Sequence, residues 1–148
     1  MTPPIYSSPA AGLPLAQQYL HRARQFRKAA EKLPDYSNGE QCWPRYALLT
    51  HAIELALKAL DHLSSPVKML PLSEKPSNHD LIGWYRLAVS YGLTDNPQVA
   101  TNIALLNELH QDHYTRYPKS KTVPEATIIA DETVDYLIDS LTPIINPR

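Results

Sequence analysis

The sequence predicts an all-α fold: an up-and-down bundle of four to five helices in one domain spanning residues 14–148. Three observations carry this. The 14 prolines cluster, leaving uninterrupted stretches between Pro14 and Pro34, Pro44 and Pro66, Pro76 and Pro97, Pro97 and Pro118, and Pro124 and Pro143. Proline lacks an amide hydrogen and breaks a helix interior, so these stretches are where helices fit. Within them apolar residues recur at spacings of three and four, and no stretch alternates with the period of a strand.

The first helix, about Pro14 to Leu33, places Leu15, Tyr19, Ala23, Phe26, Ala30 and Leu33 on one stripe. The second, Arg45 to Leu63, starts just after Pro44, a residue favoured at a first helical position. It is apolar almost all the way round, which marks it as the central helix. The third runs from about His79 to Tyr91, with Ser77 or Asn78 as cap and Gly92 as stop, and a stripe of Leu81, Trp84, Ala88 and Tyr91. The fourth opens with Asn96 and Pro97 and buries Val99, Ile103, Leu106 and His110. The fifth starts near Thr122 and Glu125, a capping-box spacing, and buries Ala130, Val134, Leu137, Leu141 and Ile144. Residues 1–13 read as a disordered segment, and 64–78, rich in Pro and Ser, as a long exposed loop.

Composition narrows the function classes. With 148 residues and 43% hydrophobic content the chain can bury a core of its own. Lys plus Arg number 14 against 15 Asp plus Glu, so the whole chain has no bias toward a polyanion and any such site is local. Cys42 is the single cysteine, which excludes an internal disulfide and a cysteine zinc cluster and fits a reducing compartment. The N-terminus has no secretory pattern, and no apolar run approaches the roughly 20 residues of a membrane span. A cytoplasmic protein is expected, with no membrane partner.

Polar residues on the central helix point to a cleft. At 100° per residue His51, Glu54 and Lys58 share one narrow sector, either as a solvated edge with an i,i+4 ion pair or as the wall of a polar cleft. A second group follows the fourth helix: Asn107, His110, His113, Arg116 and Tyr117. Two imidazoles and a guanidinium are the groups that phosphodiester cleavage needs as base, acid and cation. The alternative is that His110 continues the core stripe while His113 and Arg116 decorate a helix end. His110 and His113 could also offer two nitrogens to one ion, with Glu54 of the central helix as the available carboxylate. No repeated Glu-x-x-His pair completes such a site, so no metal and no cofactor is assigned. Charge is uneven: Arg22, Arg24, Arg27, Lys28 and Lys32 make the first helix basic, Arg116, Lys119 and Lys121 form a second basic patch, and Glu125, Asp131, Glu132, Asp135 and Asp139 make the last helix acidic. A basic face of this kind is either a solvated surface or a reader of phosphate backbone.

The segment ALLTHAIELALKAL, residues 47–60, with HDL at 79–81 and RYP at 116–118, resembles the HEPN superfamily in motif type, order and spacing. The resemblance covers roughly residues 15–145. It implies a bundle of four main helices and a shorter one, usually homodimeric. It also implies RNA or nucleotide binding in a polar cleft, with metal-independent endoribonuclease activity in toxin–antitoxin or defence systems. An alternative it implies is a non-catalytic interaction module that pairs with a nucleotidyltransferase-like antitoxin partner. Catalytic members resemble one another in an Arg-x(4–6)-His motif, which Arg45 and His51 match, although six helical positions turn two side chains roughly 120° apart. The candidate catalytic residues are therefore Arg45, His51, His110, His113 and Arg116. The candidate ligand-binding residues are Glu54, Lys58, Asn107 and Tyr117.

Overall fold

The computed structural model describes residues 12–34, 36–37, 40–68, 75–111 and 125–146. Within them the fold is all-α, with five helices: α1 Gly12–Ala30, α2 Trp43–Lys68, α3 Leu81–Ser90, α4 Pro97–Gln111 and α5 Ala126–Ile145. A two-residue antiparallel ladder, β1 Tyr36–Ser37 with β2 Glu40–Gln41, joins α1 to α2. Strands this short carry no alternation, so periodicity could not reveal them. The expected disorder of residues 1–13 falls mostly on residues 1–11, outside the described ones, while Gly12 and Leu13 already belong to α1.

The central position of α2 follows from its sequence. Leu49, Ala52, Ile53, Leu55, Ala56, Leu57, Ala59 and Leu60 are all buried, and α1, α3 and α5 pack around them. The α4 helix lies against α3 and α5 and is tied to α2 by the Tyr46 hydroxyl, which donates to Leu106 O at 3.2 Å. Burial pushes the Tyr46 phenol well above its ordinary range, so it stays a donor. Of the loop expected at 64–78, residues 64–68 belong instead to α2, which continues to Lys68, and residues 69–74 lie outside the described ones. Pro66 then sits in the last turn, where its missing N–H costs only one intrahelical bond.

Two stripes differ by one position from the expected ones. On α1 the buried line is Ala16, Leu20, Ala23 and Ala30, with Tyr19 and Phe26 packed at its shoulder. On α5 Ile145 is inside and Ile144 outside. Small residues on α1 bring its backbone close to α2, and the aromatic side chains reach in from the side.

Helix ends account for the remaining architecture. Asn96 Oδ1 accepts from Gln98 N at 3.0 Å and Val99 N at 3.3 Å, the expected cap of α4. Gly92 ends α3 with φ 120; Leu93 N donates to Ala88 O and Gly92 N to Val89 O, the paired bonds of a Schellman motif. At the start of α3 the cap is Asp80, whose Oδ1 accepts from Gly83 N at 3.0 Å, and not Ser77 or Asn78. Gly83 is required there, since a Cβ would lie 2.6 Å from Asp80 Oδ2 and 2.8 Å from Pro76 Cβ. The capping box expected for α5 is replaced as well. Glu125 is left-handed (φ 57) and caps nothing with its side chain; Gln41 Oε1 accepts from Thr127 N at 2.9 Å instead. Thr122 lies outside the described residues.

Candidate functional site

Glu54 organises the densest polar cluster among the described residues. It projects from the middle of α2 and its side chain is 6% exposed. One oxygen, Oε1, meets His79 Nδ1 at 2.9 Å and His110 Nε2 at 3.0 Å; the other, Oε2, accepts from Lys58 Nζ at 3.2 Å. For both imidazoles to donate, His79 must carry its proton on Nδ1 and His110 on Nε2. The two rings stand edge to face, 5.5 Å between centroids. Side-chain exposures are 46% for His79, 14% for His110 and 15% for Lys58, so the cluster opens to solvent on the His79 side.

Each partner is fixed by a different element. Lys58 lies one turn after Glu54 on α2, with Nζ 5.2 Å from the Trp84 ring centroid, a cation–π distance. His110 stands in the last turn of α4. His79 is held in the turn that leads into α3: Asp80 N donates to Ser77 O, and Trp84 Nε1 donates to the same carbonyl at 3.0 Å. Asn107, one turn before His110, accepts from Leu81 N at 2.7 Å and so locks the start of α3 against α4. That bond sets the relative position of the two imidazoles.

Electrostatics keeps the carboxylate ionised. Burial favours the neutral acid, but hydrogen bonds from His110 and His79 and the charge of Lys58 outweigh it, drawing the Glu54 pKa from 4.5 down to about 2. His51, one turn earlier, packs edge-on against Phe26 with centroids 4.5 Å apart. Its pKa is lowered, chiefly by burial, with Glu54 working the other way and His110, Lys58 and His79 adding to the lowering.

Of the residues expected from the sequence, Glu54, Lys58 and His110 converge, His51 borders them, and Asn107 braces them. Arg45 goes elsewhere. Its guanidinium donates to Ala30 O at 2.8 Å, Leu33 O at 2.6 Å and Asp131 Oδ2 at 2.7 Å, so it fastens the end of α1 to α5. Arg45 and His51 thus serve different contacts, as their helical separation predicts. His113, Arg116 and Tyr117 lie outside the described residues, as do Lys119 and Lys121. The basic face of α1 is partly matched by the acidic α5: Arg27 Nη1 pairs with Asp135 at 3.3 Å and Arg24 Nη2 donates to Thr142 Oγ1 at 2.6 Å. His79 was not among the expected site residues. The HDL motif contained it, but nothing in the spacing says that Asp80 would cap α3 and leave His79 facing α2.

No helix among the described residues is long and apolar enough to cross a membrane. No protein family, curated protein or solved structure matches the chain.

Proposed function

We propose that this chain is a HEPN-like bundle that binds RNA or a nucleotide through phosphate at the Glu54 cluster. The observation that carries the reading is that one buried carboxylate gathers two imidazoles and an ammonium at a solvent-facing edge. The imidazoles of His79 and His110 and the ammonium of Lys58 carry N–H donors of the kind that suit the oxygens of a phosphate. His79, half exposed and oriented by Glu54, is the group that meets the ligand first. Phosphodiester cleavage needs one group to take the 2′-hydroxyl proton, one to protonate the leaving oxygen and a cation against the phosphorane; the cluster contains each type. In this reading the protein acts as a homodimer, as the HEPN resemblance implies, in the cytoplasm that the composition leads one to expect.

The test uses labelled single-stranded RNA and labelled ATP at low salt with EDTA present, scoring retention and cleavage together. The reading expects retention by the wild type, its loss in the His79→Ala and Lys58→Ala double variant, and its persistence in Arg22→Ala on the exposed side of α1. Absence of retention for both probes removes the nucleic-acid and nucleotide reading. A co-purifying partner protein would then favour the interaction-module alternative.

A further inference from the structure

We infer that Glu54, His79 and His110 also form a binding site for a single divalent first-row transition-metal ion of the zinc type. One ligand atom from each residue lies within 4.8 Å of the other two. They come from three separate segments, the centre of α2, the turn before α3 and the end of α4, so the fold and not local sequence brings them together. Donors bound to zinc at about 2.0–2.2 Å in tetrahedral array sit roughly 3.3–3.6 Å apart. The separations from Glu54 Oε1 are 2.9 Å to His79 and 3.0 Å to His110, and the two imidazole nitrogens lie within 4.8 Å of each other, so side-chain shifts of up to about an ångström seat the ion.

The donor chemistry selects the metal class. Two imidazoles and one carboxylate, with no thiolate, suit zinc, iron, cobalt or nickel better than the oxygen-loving calcium or magnesium. Cys42, the single cysteine, is buried in the segment leading into α2 and is not in the donor set. Three protein ligands on a site open at His79 leave a coordination position for water or an anion, the pattern of a reactive metal centre more than a structural one. Lys58 holds Oε2 and directs Oε1 toward the ion, and Asn107 sets the distance between the two imidazole-bearing segments; both act as outer-shell supports.

Loading the site is balanced in protons. The ion takes the place of the two N–H···O bonds; neutral His79 moves its proton from Nδ1 to Nε2 and neutral His110 from Nε2 to Nδ1, freeing a lone pair on each for the metal. Both imidazoles are then committed to the ion, so a zinc-loaded site and a metal-free acid–base site exclude each other. The inference goes beyond the nucleotide reading and stands or fails separately, because the ion is titrated without RNA or nucleotide.

The experiment titrates tag-free, EDTA-stripped full chain with Zn²⁺ by calorimetry, and with Co²⁺ by visible absorption. One ion per chain is expected, with the intense visible absorption of four- or five-coordinate cobalt. His79→Ala, checked for folding by circular dichroism, should weaken binding by more than the about 10- to 100-fold that loss of an outer-shell partner costs. His21→Ala, an exposed histidine on α1, should leave it unchanged. If His79→Ala does not fold, His79→Asn, which keeps a side-chain donor beside Glu54, replaces it with the same expectation. The inference is overturned by unsaturable uptake, by a cobalt spectrum indistinguishable from the aqueous ion, or by binding that survives the His79 variant.

Discussion

Replacing Glu54 by Gln removes the charge at the centre of the cluster while keeping its shape. The amide oxygen can still accept from His79 and His110, but an NH₂ then faces Lys58 Nζ, which stands 3.2 Å from Oε2 in the wild type. Two routes give the cost. The fall in the Glu54 pKa from 4.5 to about 2 corresponds to about 3 kcal/mol at about 1.4 kcal/mol per pH unit. Breaking a buried ion pair by removing one partner costs about 3–5 kcal/mol. Lys58 retains some exposure and can turn toward water, which places the expectation at the low end, about 3 kcal/mol. The assay is urea denaturation at pH 7 with EDTA, reading a lower midpoint at unchanged slope. The sign with pH follows from linkage. A carboxyl whose folded pKa is depressed contributes stability above its unfolded pKa and loses it as pH falls through the folded value. The gap between wild type and Glu54→Gln should therefore be full above about pH 5 and close as the pH falls from 4.5 toward about 2. A gap under about 1 kcal/mol at pH 7, or one that stays constant down to pH 2.5, would refute the reasoning.

Other expectations concern the frame around the site. Arg45→Ala should cost about 2–4 kcal/mol, because it removes charge-assisted bonds to two helix-end carbonyls and Asp131. Its melting temperature should drop by roughly 5–12 °C, with RNA or zinc binding by the folded protein unchanged. Asn107→Ala leaves Leu81 N without its side-chain acceptor and should cost about 1–3 kcal/mol, whereas Asn107→Asp, which keeps an acceptor, should lose less than half as much in the same denaturation assay. His62, packed on Tyr19 with centroids 4.3 Å apart, has its pKa lowered from 6.5, mainly by burial. Stability should fall as the pH drops below that value, and His62→Gln should flatten the slope of melting temperature against pH below 6.5.

The fold was legible wherever a local rule sufficed. The all-round apolarity of α2 could be satisfied only at the centre of a bundle, and Asn96 and Gly92 mark helix ends through bonds to residues a few positions away. Where the partner is distant in the chain, the reading missed. The α5 cap comes from Gln41, 86 residues before Thr127, and the basic side chains of α1 are answered by α5, so a charged face in sequence became in part an interface. The site divides the same way. Helical spacing aligned His51, Glu54 and Lys58, and the stripe on α4 pointed His110 inward. The position of His79 depends on the Asp80 cap and on Asn107 bridging to Leu81, contacts between segments whose order does not reveal their approach. Arg45 shows the converse: its distance in sequence from His51 matched a motif, while its length and fork of donors suited the carbonyls of Ala30 and Leu33 at and just after the end of α1.

Every role given to the site depends on one carboxylate oxygen of Glu54 holding two imidazoles, His79 from the turn before α3 and His110 from the end of α4. Long-range ¹H–¹⁵N spectra of the histidine rings in EDTA-treated protein test it directly, since they report which nitrogen carries the proton. His79 should appear as the Nδ1–H tautomer and His110 as Nε2–H, and added zinc should reverse both. Averaged tautomers at both rings, unchanged by Glu54→Gln, would contradict it.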